Sequence, residues 1–431
     1  MARPSTAIPK GVRVMPPKEA ARLRFAEGRL LSVFERWGFR EVVVPTFEYL
    51  EVFAAALPDS EKVEKFVDRQ TGRLLALRPD LTSQVARMVA TTLRHHPLPL
   101  RLCYAAPIFR HEEAAEGRQR EFYQAGVELI GLEKPEADAE VIAMAVESCR
   151  EVGLTRFQID VGQVEFLRGM LDALPQRPDR RGEILAALRR KDALALDLLL
   201  ADLACPDQVK AGIRGLTELY GREEVLDQAE GLAASERSKR ALENLRRVYE
   251  VLRVYGLTDQ VILDLAEHYS LEYYSGIAFQ VFAEGLGSHL GGGGRYDSLI
   301  GQFGYECPAT GFAFDLEKIL QALEKENALP RDAGPLFLII DFHPDKRQAL
   351  ILARTLRSKG YPAARDIITR DLEGSLTYAR TCGIRSALIL GQPGQGEDSL
   401  ILRDVQSGKE TPYGVAQFCD RVMSGALAWP T

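Results

Sequence analysis

The stretch that decides the fold is residues 101–131, RLCYAAPIFRHEEAAEGRQREFYQAGVELIG. Two runs rich in aromatic and β-branched residues, 101–110 and 120–131, flank a charged segment with Gly117 at its turn. This pattern predicts two antiparallel strands joined as a hairpin.

The second strand of this hairpin carries polar residues on one face. Because side chains alternate along a strand, Phe122, Gln124 and Glu128 share that face. If the face is buried, Gln124 and Glu128 need hydrogen-bond partners or a ligand. If it is solvated, they simply meet water. Arg110 ends the first strand and is placed to hold an anion.

Composition sets the broad class of protein. The 431 residues are 46% hydrophobic and 27% charged, which is typical of a globular chain of two or three domains. A net charge of −6 does not favour a nucleic-acid partner. The six cysteines have no CxxC or metal spacing, and no apolar run reaches membrane length. We expect a cytoplasmic protein with no membrane segment, metal or other cofactor.

Three stretches resemble the signature motifs of class II aminoacyl-tRNA synthetases. FRHE at 109–112 with GRQREFYQAGVELIG at 117–131 resembles motif 2 in its histidyl form. A helix at 16–38 followed by a strand with Pro45 resembles motif 1, the dimerisation element. The alternative for that strand is an edge without a partner. Residues 309–323, ATGFAFDLEKILQAL, resemble motif 3.

This resemblance implies an α+β fold, a class II synthetase-like antiparallel sheet flanked by helices. On that template the core spans residues 1–325 and is interrupted by a helical insertion at 167–257, where apolar residues recur at three- and four-residue spacing. The charged faces of the insertion are expected to be solvated, with tRNA contact as the alternative. A linker at 326–335 leads to a C-terminal α/β domain at 336–431 with a largely parallel sheet, which resembles an anticodon-binding domain.

Further motifs indicate which residues would bind a ligand. LRPDLT at 77–82 is similar to the synthetase LRPEGT, whose acidic residue and threonine hold the α-amino group of histidine. By that match Asp80 and Thr82 are candidates for an ammonium group. Capping of the following helix is the alternative use of both side chains.

SLEYYSG at 270–276 and GGRYD at 293–297 resemble the two histidine-specific motifs. The match implies that Tyr274 and Tyr296 face an imidazole, with Gln124 and Glu128 hydrogen-bonded to it. Simple core packing and a plain glycine-rich hairpin are the alternatives. The predicted histidine-binding residues are Asp80, Thr82, Arg110, Gln124, Glu128, Tyr273, Tyr274, Gly293, Gly294 and Tyr296.

Three arginines of the synthetase pattern are replaced, and only Lys318 keeps the positive charge, without the planar guanidinium. Tyr269 and Lys318 stand where the family has arginine, and Glu113 replaces the usual arginine of RHER. Positioned cations stabilise the charge that builds up during adenylate formation, and losing one such contact costs on the order of 100- to 1000-fold in rate. A site that keeps its amino-acid ligands but lacks these arginines is predicted to bind without catalysing.

That combination is similar to the regulatory subunits of ATP phosphoribosyltransferase, paralogues of histidyl-tRNA synthetase. GRLLALRPDLTSQVARM at 72–88 and QAGVELIG at 124–131 fit this family. The resemblance implies a non-catalytic subunit for the first step of histidine biosynthesis. It would self-associate as a homodimer, form a hetero-octamer with the short-form catalytic subunit, and bind L-histidine as effector, with no tRNA. The alternatives are a true histidine–tRNA ligase and a scaffold that has lost its ligand.

Overall fold

The protein is described by a computed structural model that covers residues 6–54, 63–110, 119–175, 178–233, 235–266, 274–330, 337–368 and 370–424. The chain divides into two compact units, Met1–Pro330 and Arg331–Thr431. Each unit is described by itself below.

The helices of the first unit are α1 (Pro17–Arg36), α2 (Leu50–Ala54), α3 (Thr82–Thr91), α4 (Pro135–Val152), α5 (Val164–Leu171), α6 (Pro178–Arg189), α7 (Ala193–Ala201), α8 (Asp207–Gly215), α9 (Glu224–Leu232), α10 (Glu236–Val254) and α11 (Leu316–Lys325). Its strands are β1 (Arg40–Glu41), β2 (Phe47–Tyr49), β3 (Lys65–Val67), β4 (Leu74–Leu77), β5 (Leu100–Phe109), β6 (Glu121–Ile130), β7 (Phe157–Gln163), β8 (Tyr220–Gly221), β9 (Val261–Asp264), β10 (Ile277–Ala283), β11 (Gly291–Arg295) and β12 (Ala309–Asp315).

Nine of these strands form one sheet in the order β1-β5-β6-β12-β11-β10-β7-β9-β8. All neighbours pair antiparallel except β1 with β5 and β7 with β9. The predicted hairpin is β5 and β6, with Leu102 opposite Glu128 and Ala106 opposite Gln124. The predicted α+β class and antiparallel sheet are confirmed.

The two faces of β6 have different surroundings. Val127 and Leu129 belong to a large core that also holds apolar residues of α1, α4 and α11. On the other face Tyr104 of β5, Tyr296 and apolar residues of α3 form a second, smaller core. Gln124 and Glu128 therefore project into a covered region between the sheet and α3, because strand residues alternate between faces.

A buried ion pair ties the sheet to α4. Nε of Arg295, at the end of β11, donates to Oδ2 of Asp138 in the first turn of α4 at 3.0 Å. The Arg295 side chain is 8% exposed and that of Asp138 is 1% exposed. The same guanidinium donates to the Leu132 carbonyl at 2.9 Å and to Asp297 at 3.1 Å. These contacts position Tyr296, the residue that follows Arg295.

One predicted strand is partly wrong. Residues 40–53 were expected to form a strand interrupted by Pro45, yet Leu50–Ala54 is helix α2. The strand β2 pairs with β4, which pairs with β3, in a separate three-stranded sheet. Pro45 lacks an N–H donor and lies between β1 and β2, at the point where the chain leaves one sheet for the other.

The second unit contains β13 (Phe337–Asp341), α12 (Arg347–Ser358), β14 (Ala363–Arg365), α13 (Leu372–Thr381), β15 (Ser386–Leu390), β16 (Ser399–Asp404), β17 (Glu410–Gly414) and α14 (Val415–Ser424). The sheet order is β14-β13-β15-β16-β17. Only the first three strands are parallel, so the expectation of a largely parallel sheet is wrong for half of the pairings. The missed strand β17 follows a turn at Gly408, whose φ is 73°.

Candidate ligand-binding site

A cavity lies where β6, β11 and β12 face the start of α3. It encloses about 500 Å³, part of it open to solvent. Its lining residues are Asp80, Thr82, Arg110, Gln124, Glu128, Tyr274, Gly292, Gly293, Tyr296, Gly311, Phe312 and Ala313. The cavity therefore brings together residues from six separate stretches of the chain.

Glu128 is the buried acceptor of this cavity, with 1% of its surface exposed. Tyr104 donates to its Oε1 at 3.1 Å, and Tyr296 donates to its Oε2. Burial raises the pKa of Glu128 to about 7, although the hydroxyl groups of Tyr296, Thr82 and Tyr104 act in the opposite direction. Near neutral pH this carboxyl can therefore accept or donate a hydrogen bond.

Asp80 lies between the first turn of α3 and the cavity. Its Oδ1 accepts from the backbone N–H of Ser83 at 2.9 Å, which caps α3, while the residue also lines the cavity. Burial raises the pKa of Asp80, and the Ser83 N–H and the positive charge of Arg110 oppose that shift. Asp80 and Thr82 thus form a polar corner suited to an ammonium group.

Arg110 provides a cation at the cavity. Its Nε donates to the Pro79 carbonyl at 2.9 Å, and its guanidinium lies 5.3 Å from the centre of the Phe122 ring. One donor is thus used to hold the side chain in place, and a guanidinium has further N–H groups that can reach an anion.

Glycine backbone forms one wall of the cavity. The glycine run makes little use of positive φ, because Gly291–Arg295 is a regular strand in which only Gly294, at φ 156°, departs from negative values. The glycines instead allow close approach. A Cβ on Gly311 would overlap the Glu128 Oε2 and the Val127 carbonyl.

Gly311→Ala is expected to lower the free energy of unfolding by about 1–3 kcal/mol, because the added methyl group meets fixed backbone and the carboxylate. The matched control is Gly182→Ala on α6, where a Cβ meets nothing within 4 Å. Helix propensity should make that change neutral or stabilising by up to about 1 kcal/mol. Urea unfolding of both variants measures the difference; equal stabilities would contradict this account of Gly311.

The structure brings most of the predicted residues to the cavity. Tyr273 lies outside the described residues, as do Tyr269 and Glu113, and Gly294 lies on β11 without lining the cavity. Sequence reasoning missed Gly292, Gly311, Phe312, Ala313 and Tyr104. Apart from Tyr104, the missed residues come from β11 and from β12, a strand remote in sequence that pairs with β6.

Lys318, the residue at the position of the motif 3 arginine, does not line the cavity. Its Nζ donates to the His289 carbonyl at 3.1 Å, and its backbone N–H is capped by Asp315 at 3.1 Å. Burial and the nearby charges of Lys318 and Arg110 lower the pKa of His289 to about 4. One N–H of the lysine ammonium is thus used by a backbone carbonyl.

Within the described ranges, no group of His, Cys, Asp and Glu side chains could hold a metal ion. Among those same residues, none of the helices combines the length and apolarity that crossing a membrane requires. All six cysteines are free.

Comparison with known proteins identifies the family. A family model described as histidyl-tRNA synthetase matches residues 11–319. The chain is 43% identical to the ATP phosphoribosyltransferase regulatory subunit of Syntrophotalea carbinolica, over 95% of each chain. It is 41% identical to that of Geobacter sulfurreducens, over 93% of this chain and 92% of the relative.

Two solved structures have a fold similar to that of this chain. A crystal structure from Bacillus halodurans, titled as an ATP phosphoribosyltransferase regulatory subunit/histidyl-tRNA synthetase, has a TM-score of 0.80 at 28% identity and covers 91% of this chain and all of its own. Histidyl-tRNA synthetase from a Nostoc species has a TM-score of 0.81 at 21% identity, covering 98% of this chain and all of its own, and shows the shared fold. Given these matches along nearly its full length, the chain belongs to the ATP phosphoribosyltransferase regulatory subunit family, built on the histidyl-tRNA synthetase fold.

Proposed function

We propose that the chain is a non-catalytic regulatory subunit of ATP phosphoribosyltransferase and that its cavity binds L-histidine as effector. The observation that carries the proposal is the buried Glu128, held between two tyrosine hydroxyls at the end of a cavity whose opposite corner is Asp80 and Thr82. An imidazole would hydrogen-bond to Glu128 and Gln124, the ammonium group to Asp80 and Thr82, and Arg110 would hold the carboxylate.

The absence of amino-acid activation is supported by what surrounds motif 3. Lys318 replaces the arginine of the synthetase pattern and donates to the His289 carbonyl. A lysine cannot stack on a purine ring as a planar guanidinium does. The substitutions at Tyr269 and Glu113 point the same way at the level of sequence.

Assembly would require two surfaces, one for a second copy and one for the catalytic subunit. An exposed apolar patch supports the first; it contains Phe47 and Phe66, which lie on the same face of the three-stranded sheet. The rings of Phe47 and Phe66 lie 5.7 Å apart in an edge-to-face arrangement. Large exposed apolar patches mark interaction sites, and we assign this one to the homodimer that would form the hetero-octamer with catalytic subunits. Free cysteines support a cytoplasmic location.

The test is the ATP phosphoribosyl transfer rate of a purified short-form catalytic subunit, measured with and without this chain and with increasing L-histidine. We expect association, a higher rate with the chain present, and a rate that changes with histidine concentration. Glu128→Gln should keep the association and shift the response to about 10- to 100-fold higher histidine concentrations.

Histidine-dependent exchange between ATP and pyrophosphate is measured in parallel on the chain by itself. Exchange, together with no association, would show that the chain is a histidine–tRNA ligase. Association without any heat of histidine binding would show a scaffold whose cavity has lost its ligand.

A further inference from the structure

A second cavity lies behind the sheet, between the N-terminal segment, α1 and α11. It encloses about 680 Å³, part of it open to solvent, and is lined by Arg13, Glu19, Arg22, Glu317, Leu320, Gln321, Glu324 and Leu329. The two helices pack on the face of β6 that carries Val127, so this cavity is separated from the first by the sheet. None of its lining residues belongs to the histidine site proposed above.

A buried carboxylate with an unused oxygen marks the floor of this cavity. Glu317 is 5% exposed, and its Oε2 accepts from the backbone N–H of Tyr123 at 2.9 Å. Its Oε1 has no hydrogen-bond partner among the described residues. The guanidinium of Arg13 lies 3.8 Å away, close enough for charge attraction but too far for a hydrogen bond.

Leaving such an oxygen unpaired is costly. A buried polar atom without a partner loses the free energy of its hydration, and the loss is larger for a charged group. Burial accordingly raises the pKa of Glu317 to about 7. A ligand that donates a hydrogen bond to Oε1 would recover this energy.

The wall formed by α1 contains a hydrogen-bond donor that lacks an acceptor among the described residues. Nε of Arg22 is buried and has no hydrogen-bond partner in the described part of the chain. The Arg13 side chain is 38% exposed, and its distance to the Glu19 carboxylate, 3.8 Å, is too long for a hydrogen bond. The Arg13 side chain is therefore able to move toward an anion. The lining of the cavity thus includes an unused acceptor on Glu317 and an unused donor on Arg22.

The balance of charges restricts the class of ligand. The lining has two arginines and three glutamates, together with two leucines. The glutamates would repel a polyphosphate, and the arginines would repel a polycation. A small molecule with one positive and one negative group and an apolar portion satisfies all of these residues.

We propose that the second cavity binds a small zwitterion of the α-amino-acid class, with its ammonium group on Glu317 and its carboxylate on Arg13 and Arg22. The side chain of the ligand packs against Leu320 and Leu329. This site is distinct from the histidine site and does not depend on it.

The proposal is tested by isothermal titration calorimetry of the full-length chain with leucine, glutamine, glutamate, lysine and histidine. We expect saturable binding of an amino acid with an uncharged side chain. Glu317→Gln and Arg22→Gln should each weaken that binding by about tenfold or more, because each removes a charge-assisted hydrogen bond. Glu35→Gln, an exposed change elsewhere on α1, and Glu128→Gln in the first cavity should leave it unchanged.

Three outcomes would overturn the proposal. They are no saturable heat from any of the five amino acids, binding that Glu317→Gln and Arg22→Gln both leave intact, and binding that is lost only in Glu128→Gln. Thermal unfolding identifies a variant that fails to fold, and the half-buried Arg22 provides a second test if Glu317→Gln does. If histidine does not bind to the chain at all, the proposed function of the first cavity is contradicted, and the proposal for the second cavity is unaffected.

Discussion

Glu128→Gln is expected to weaken the binding of L-histidine by about 10- to 100-fold. The carboxyl is buried, and a hydrogen bond to a charged group contributes about 1.5–3 kcal/mol. Glutamine preserves the volume of the side chain, but its amide nitrogen can only donate, so one of the hydroxyls of Tyr104 and Tyr296 loses its acceptor. Calorimetry near pH 7 measures the dissociation constant.

The control for this variant is Glu35→Gln, the same chemical change at an exposed position of α1 outside the cavity. Its histidine affinity should match that of the unmodified chain. Thermal unfolding of both variants separates a loss of binding from a loss of fold. An unchanged dissociation constant in Glu128→Gln would show that histidine does not use this carboxyl.

Arg295→Met is expected to lower the free energy of unfolding by about 3–5 kcal/mol. The change leaves the carboxylate of Asp138 buried without its cation, and burial already raises the pKa of Asp138 against the attraction of Arg295. The carbonyl of Leu132 also loses a donor. Urea unfolding that follows the first unit measures the loss.

The double variant Arg295→Met with Asp138→Leu is the control. Replacing both partners of a buried ion pair by apolar residues of similar size is often neutral, so most of the lost stability should return. If the single variant loses less than about 1 kcal/mol, the pair does not anchor β11 to α4. Histidine affinity is expected to fall in the single variant too, because Arg295 positions Tyr296.

The hairpin at 101–131 shows how much of the cavity can be predicted from the sequence. The alternation of residues placed Gln124 and Glu128 on one face, and the structure puts both at the cavity. The partner strand of β6 on its other side, β12, is almost 180 residues further along the chain. Periodicity contains no information on such a pairing, which is why Gly311 and Phe312 were missed. A possible signal was Gly126, which faces Tyr104 across the hairpin.

The errors elsewhere have a similar origin. The apolar run at 47–53 is compatible with both a strand and a short helix. The strand ends at Tyr49, where its pairing in the three-stranded sheet ends, and helix α2 follows. In the second unit the α/β alternation was correctly recognised up to β15, and the turn at Gly408 then added an antiparallel strand that propensity did not separate from a loop. The sequence does not distinguish Glu317 from an ordinary acidic residue in the first turn of a helix, because its burial depends on the packing of α11.

The glycine wall of the first cavity limits how this protein can evolve. A Cβ on Gly292 or Gly293 would collide with the backbone of a neighbouring strand, so every substitution there is disfavoured, whatever its chemistry. No substitution can enlarge the cavity at this wall either, because glycine is already the smallest residue. Natural variation toward a larger or different effector must therefore act on side chains such as Gln124 and Tyr274. Paralogues that have changed ligand should keep the glycines and differ at those positions.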